Sequence, residues 1–372
     1  MDGKKYKVSI ITVVYNGVKT IEQTIQSVLR QTYKNIEYII VDGLSTDGTQ
    51  KIVEKYMDSI ACFISEKDDG IYDAMNKGIE RATGEIIGII NSDDWYAENA
   101  VEKIVKCFEQ TKAGLVYGKV SIVFQNGEVK VGFERELDSM WYQLSVSHPT
   151  VFVRRGIYKK FGMFDTQYKI ASDYDFLLNL YSRQVEFGYV DDVISYFRLG
   201  GTSTIREKEM EDEAYEISMK YVEKCPNKDK ALPIIQKKYQ WACFGRNIRC
   251  ESGLLFKLLC QYLGEEVKEI IIFGAGTWGV RCRGMLLADG VKVLCFSDND
   301  EEKWHTECEG VKVVEPQKLQ DMDAYVLIAV KDGGEEIRRQ LESMGGNQSK
   351  CVSLEELAVL YFEKFVKREI GT

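Results

Sequence analysis

Two adjacent carboxylates, Asp93 and Asp94, end the segment Asn91-Ser92-Asp93-Asp94, directly after the apolar run Glu85-Ile86-Ile87-Gly88-Ile89-Ile90. A short β-branched run reads as a buried strand. In an open α/β sheet ligands sit beyond the carboxyl ends of the strands, so a site is expected here. No Cys or His lies nearby, and paired carboxylates of this kind suit a hard divalent cation shared with substrate phosphates. A solvated turn capping the next helix is the competing reading. A second pattern, Gly274-Ala275-Gly276-Thr277-Trp278-Gly279, follows the run Lys268 to Phe273, with Asp298 about 20 residues further on. That is the context of a dinucleotide-binding βαβ unit, although tight turns and close helix–strand packing need the same glycines.

Alternating strands and helices must position these groups. Val8 to Val14 reads as a buried strand stopped by Asn16-Gly17, and Thr20-Ile21-Glu22-Gln23 as a capping box. Ile21, Ile25, Val28 and Leu29 then make one apolar helical stripe. Ile36 to Val41 and Ile60 to Ile64 are further strands, separated by a turn and helix over 45–56. Two βαβ units imply a parallel sheet with right-handed crossovers. The polar loop from Ser65 runs into a helix with Ile71, Met75, Ile79 and Ala82 on one face, ended by Gly84. Asn126-Gly127 predicts a hairpin after a strand at 115–123, which makes the sheet mixed.

The bulk composition restricts the function classes. At 372 residues, 45% hydrophobic and with 4 prolines, the chain reads as ordered and long enough for two or three domains. Acids exceed bases, 58 to 49, and the net charge of -9 argues against nucleic-acid binding. The 10 cysteines are scattered without zinc-like spacing, so free thiols in a reducing cytoplasm are expected. The N-terminus has no signal-peptide core, and no apolar run approaches the roughly 20 residues of a membrane span. A soluble protein, at most peripheral to a membrane, is expected.

The order of these pieces resembles the family 2 glycosyltransferases of GT-A fold, over roughly residues 6–204. The similarity is carried by Ser9 to Asn16, Ser27 to Tyr33, Val41-Asp42-Gly43 with Ser45 to Thr49, Gly70 to Gly78, Asn91 to Trp95, His148-Pro149 and Ala171 to Asp175. The resemblance implies an inverting transferase that moves a sugar from a UDP-sugar to a glycan or lipid-linked acceptor, of the bacterial O-antigen and capsule type. It implies that Val13, Val14 and Tyr15 hold the nucleobase and that Asp42 accepts from the uracil imide, or else caps the following turn. Asp93 would touch the ribose or metal waters, and Asp94 would ligate Mn²⁺ or Mg²⁺, which neutralises the departing diphosphate. Asp173 would be the general base, with Asp175 its rival. The family's Glu-Asp is Ser172-Asp173 here, so the base is present and a supporting contact differs. The resemblance also places Asp68, Asp73, Asn76 and His148 near donor or acceptor, and Arg198 with Gly200-Gly201-x-Ser203 in a segment that closes over the diphosphate. Asp73 and His148 could equally be structural, and Arg198 a surface ion-pair residue.

The expected organisation is a GT-A domain over 1–204, a helical connector over 205–265 and a small Rossmann-like α/β domain with a C-terminal helix over 266–372. Within 231–263, Lys237, Lys238, Arg246, Arg249 and Lys257 interleave with aromatic and leucine residues. Such a stretch can lie on an anionic membrane at the inner face of the cell, or serve as a packed connector. The alternative function is a bifunctional or NAD(P)-linked sugar-modifying oxidoreductase using Gly274, Gly276, Gly279 and Asp298. The module offers no Tyr-x-x-x-Lys pair for that chemistry.

Overall fold

The computed structural model describes residues 6–132, 136–200, 206–345 and 350–366. The chain forms two compact units, Met1–Ile235 and Gln236–Thr372.

In the first unit β1 (Val8–Val14) is buried along its whole length. A strand buried on both faces needs cover from both sides, and its side chains divide by parity. Val8, Ile10 and Val14 enter one core together with Ile21, Ile25 and Ile104, from the helices Ile21–Leu29 and Ala100–Gln110. Ile11 and Val13 enter the other with Met75, Ile79 and Leu178, from the helices Ile71–Arg81 and Ser172–Ser182. The remaining strands are β2 (Ile36–Asp42), β3 (Cys62–Ser65), β4 (Ile86–Asn91), β5 (Trp95–Tyr96), β6 (Leu115–Val123), β7 (Val129–Val131), β8 (Phe152–Arg154) and β9 (Phe187–Arg198). They lie in the order β3-β2-β1-β4-β8-β6-β9-β5, with β7 paired to β6. The first four are parallel, and β8 runs antiparallel to both β4 and β6. This is the mixed α/β sheet expected, including the hairpin at Asn126-Gly127.

Register aligns the strand ends. Val14 lies opposite Asp42, Val13 opposite Asn91, and Asp42 opposite Ser65. The chain builds outward from β1 to β3 and then returns to place β4 on the other side, so the β1/β4 boundary is a topological switch point. At the opposite end of the sheet Glu37 ties three segments together. Its carboxylate accepts from Lys7 Nζ and Ser9 Oγ at 2.6 Å and from Thr83 N at 2.8 Å. Burial alone would raise its pKa, but these bonds win and hold it at about 2.

Two local expectations change. Thr20 starts its helix without a capping bond, and its hydroxyl instead reaches the Gly17 carbonyl at 3.4 Å. The third strand begins at Cys62, because Ile60 closes a 3-10 turn on Met57.

In the second unit β10 (Glu269–Phe273), β11 (Lys292–Ser297), β12 (Glu307–Cys308), β13 (Val311–Val314), β14 (Tyr325–Ile328) and β15 (Cys351–Ser353) lie in the order β12-β13-β11-β10-β14-β15. All neighbours are parallel except β12 and β13. Ile270 and Ile272 face one core, with Cys282, Leu286 and Leu357, while Ile271 and Phe273 face the other, with Leu341. The segment expected as a connector is divided between the units. Ile217, Tyr221, Ala231 and Ile235 belong to a core of the first, and Trp241, Phe244, Leu254, Leu255, Leu258 and Leu259 to a core of the second. Among the described residues no helix is long and apolar enough to cross a membrane, and all ten cysteines are free thiols.

Candidate functional site

At the end of β2 the Asp42 carboxylate is fully buried. It accepts from Ser45 N at 3.2 Å, Gln50 Nε2 at 3.0 Å and Ser65 Oγ at 2.7 Å. The turn-capping role is therefore filled. Of the two oxygens only Oδ1, bonded to Ser45 N alone, retains capacity for a further donor.

At the end of β1, Val13 and Val14 are buried while Tyr15 is 67% exposed. The backbone turns into a positive φ of 51° at Asn16, whose amide oxygen accepts from Thr46 N at 2.9 Å. A Cβ on Gly43 would overlap the Asp68 carboxylate and stand 3.4 Å from the Tyr15 ring. Gly43 thus lets an aromatic face and a carboxylate come together beside the strand ends. Burial pushes the Asp68 carboxyl above its ordinary range, with Asp73 and Asp42 adding to the rise against the Gly70 N–H and Lys77. Asp73 accepts from Asp69 N at 3.1 Å and pairs with Lys77 at 3.2 Å, which pins the start of its helix.

The end of β4 carries the opening carboxylates. Asp94 is fully buried. Its Oδ1 accepts the Arg198 N–H at 3.0 Å, and its Oδ2 is buried with no partner. Burial and then the neighbouring Asp93 push the Asp94 carboxyl well above the usual carboxylate range. Asp93 is half-buried, and its carboxyl is also raised by burial, against the pull of Arg198. The Arg198 guanidinium lies 5.2 Å from the Trp95 ring centre, donates to Gln23 Oε1 at 2.8 Å and touches the Asp93 carbonyl at 3.3 Å. Trp95 in turn stacks on Tyr196. Arg198 is thus fixed by the site itself; Gly201 and Ser203, which the expected closing segment also included, lie outside the described residues.

Among the described residues no three His, Cys, Asp or Glu side chains gather into a metal cage. A magnesium-like ion needs only one or two carboxylates when substrate phosphates and waters complete its shell. The bare Asp94 Oδ2 fits that donor set, whereas a dedicated all-protein site is not present among the described residues.

Asp173 opens the helix Ser172–Ser182. Its Oδ1 accepts from Tyr174 N at 2.9 Å and lies 3.0 Å from the Tyr72 hydroxyl, which also reaches the Ile170 carbonyl at 2.7 Å. Burial and the Asp173 charge push the Tyr72 phenol far up, so it stays a donor. Burial pulls the His148 imidazole below its ordinary value against the Asp173 charge, and its ring packs 5.9 Å from Phe164. Asp175 is buried and held by Lys220 at 2.8 Å, which engages the rival to Asp173 in an ion pair.

Asn76, expected beside donor or acceptor, also ties two backbone segments together. Its amide donates to the Phe164 carbonyl at 2.8 Å and accepts the Phe164 N–H at 3.1 Å, so both ends are bound to backbone. Tyr72, Gln23 and Trp95 hold the site's charged groups yet have no role in the sequence reading. Their partners lie far along the chain; Tyr72 in the Gly70 to Gly78 segment and Trp95 at the end of the Asn91 to Trp95 segment were the signals available.

In the second unit, a Cβ on Gly279 would collide with the Gly274 carbonyl, so close helix–strand packing demands this glycine. Gly274 has φ 105°, and Gly276 begins the helix Thr277–Ala288. Asp298 Oδ2 accepts the Ala275 N–H at 2.8 Å and Lys303 Nζ at 3.1 Å, and Oδ1 accepts Asp300 N at 3.0 Å. Burial would raise this carboxyl, but those partners hold it below its usual range. The acid thus closes on the glycine loop itself.

Residues 9–185 match the family model described as glycosyl transferase family 2, and residues 266–352 one described as C2185-like, N-terminal. A PGL/p-HBAD biosynthesis glycosyltransferase of Mycobacterium bovis is 31% identical over 209 residues, 54% of this chain and 81% of the relative. The putative teichuronic acid biosynthesis glycosyltransferase TuaG of Bacillus subtilis is 33% identical over 145 residues, 38% of this chain and 58% of the relative. Residues 1–349 of S. aureus TarS, solved in complex with UDP-GlcNAc, align with TM-score 0.53 and 22% identity over 69% of this chain and 78% of that one. The mannosyltransferase PcManGT from Pyrobaculum calidifontis, in complex with GDP-Man and Mn²⁺, aligns with TM-score 0.52 and 20% identity over 67% and 77%. At these identities the two structures speak to the fold.

Proposed function

The chain belongs to glycosyl transferase family 2, and from that premise we propose that it is an inverting, divalent-metal-dependent transferase using a UDP-sugar in surface polysaccharide synthesis. The observation that carries the reading is the unpartnered, buried Asp94 Oδ2 at the strand switch point. Asp94 would hold Mn²⁺ or Mg²⁺ together with the donor diphosphate, and the ion would supply charge neutralisation to the leaving group. Asp93 supports it, and Arg198 stands against both carboxylates as a fixed cation.

The nucleobase side is assigned to the ends of β1 and β2. Tyr15 offers an exposed ring for stacking, Val13 and Val14 a rigid backbone, and Asp42 Oδ1 the remaining acceptor for a base imide. Asp68, lying beside Gly43 and Tyr15, faces the donor sugar with Asp73 next to it. On the acceptor side Asp173 takes the proton of the acceptor hydroxyl as its oxygen attacks the anomeric carbon. The new C–O bond forms while the bond to the diphosphate breaks on the opposite face, which inverts the centre. Tyr72 and the Tyr174 N–H hold Oδ1, and no hydrogen bond engages Oδ2 among the described residues. His148, neutral near pH 7, lines this side.

The relatives' names support a glycan or lipid-linked acceptor, and a cytoplasmic place of work is part of the same proposal. Because Trp241, Phe244 and four leucines of 231–263 are buried in a core, contact with a membrane there would rest on the basic side chains. Binding to anionic liposomes that vanishes in high salt is then expected; no binding at low salt removes the membrane from the proposal. The main test is mass spectrometry of products from a UDP-sugar panel with Mn²⁺ and a glycoside or lipid-linked acceptor. Transfer products are expected, and the anomeric proton coupling in their NMR spectra should show an inverted configuration; a retained configuration would overturn the single-base mechanism.

A further inference from the structure

The carboxylate of Glu213 stands behind the turn that carries Asp173. Glu213 lies on the helix Glu207–Tyr221, outside every motif quoted above. Its Oε1 accepts the Lys169 N–H at 2.6 Å, and its Oε2 accepts those of Ile170 at 2.9 Å and Ala171 at 2.8 Å. Three successive backbone N–H groups pointing at one anion form a concave cradle, here filled from within the chain. Charge-assisted bonds of this kind are shorter and stronger than neutral ones.

The location gives the cradle its meaning. Ala171 is the residue on which the helix Ser172–Ser182 begins, and its carbonyl accepts the Asp175 N–H at 3.1 Å. Two residues after the cradle comes Asp173. The turn is gripped on one side by Glu213 and on the other by Tyr72, whose hydroxyl reaches both the Ile170 carbonyl and Asp173 Oδ1. A second tie from the same helix, Lys220 to Asp175, runs parallel to the first. The helix thus holds the Asp175 carboxylate directly and the backbone turn before Asp173 through Glu213.

We infer that Glu213 is a positioning residue for the transferase reaction, holding the Asp173 carboxylate at the height from which it takes the acceptor proton. The inference rests on the role proposed for Asp173. A displacement of about 1 Å at a reacting group costs on the order of a hundredfold in rate, and among the described residues no other carboxylate bonds the three N–H groups of this turn.

The test compares Glu213→Ala and Glu213→Gln with the parent chain in UDP-sugar transfer, UDP titration and thermal melting. Glu213→Ala should lower kcat roughly ten- to a hundredfold with donor KM and UDP affinity within about twofold of the parent. Glu213→Gln keeps one carbonyl acceptor in the cradle and should recover part of that loss. Parent-like kcat in Glu213→Ala overturns the inference, as does a matching loss of UDP affinity or the absence of a folding transition in both variants. A parent chain that transfers no sugar, with any donor, instead overturns the transferase mechanism on which the role depends.

Discussion

A charged oxygen without a partner inside a protein costs more than the roughly 1–3 kcal/mol of a neutral unpaired group, so Asp94 is held against stability. Asp94→Asn keeps an acceptor for the Arg198 N–H and removes the charge. Its melting temperature should hold or rise while metal-dependent turnover drops on the order of 10²–10³-fold. A melt lowered by several degrees would make Asp94 structural. Asp173→Asn should leave UDP affinity, read by calorimetric titration, unchanged and lower kcat by roughly 10²–10⁴; weakened UDP binding would move Asp173 out of the base role. Asp93 and Asp94 were legible in the sequence because they are adjacent and directly follow a strand. What fixes the site's side chains was not. Tyr72 meets Asp173 from 101 residues away, and Asn76 finds the Phe164 backbone 88 residues later. Spacing rules do not reach across such distances, so neither contact could be read from the segment that holds Tyr72 and Asn76.

Secondary elements were legible where period and apolar runs agree, as in β1 and the Asn126-Gly127 hairpin, and less so at their ends. Caps illustrate the difference. Thr20 has the residue pattern of a capping box without its bonds, whereas Ser353 and Glu356 form both reciprocal bonds. Ser353→Ala should therefore cost about 1 kcal/mol in urea unfolding, and Thr20→Ala distinctly less; equal losses would contradict the geometry. At the end of the sheet opposite the site, Glu37 falls from an ordinary 4.5 to about 2 on folding. Its contribution is complete above the unfolded value and is lost as pH falls from about 4.5 toward 2. At about 1.4 kcal/mol per pH unit this is roughly 3 kcal/mol. Glu37→Gln should flatten the stability profile in that window, and an unaltered acid limb would remove Glu37 from it.

At the scale of the whole molecule, the two units each close their own cores. Differential scanning calorimetry with UDP and Mn²⁺ should move the transition of the first unit alone, by about 2.7 kcal/mol at a hundredfold excess over Kd. NAD should move neither, since Asp298 is occupied by Ala275 and Lys303; an NAD-dependent shift would revive the oxidoreductase reading. The division at Ile235 was not visible as a change in composition, because one continuous helix, Lys228–Cys250, contributes Ala231 and Ile235 to one core and Trp241 and Phe244 to another. The placement of Tyr15 has a practical corollary. Tyr15 lies exposed just past the end of a strand whose residues are all buried. Exchanges at such surface positions usually change stability by no more than about 0.5 kcal/mol. If the nucleobase stacks on Tyr15 as proposed, a laboratory wishing to retarget the enzyme to another nucleotide can begin a mutant library at this rim and leave the scaffold untouched.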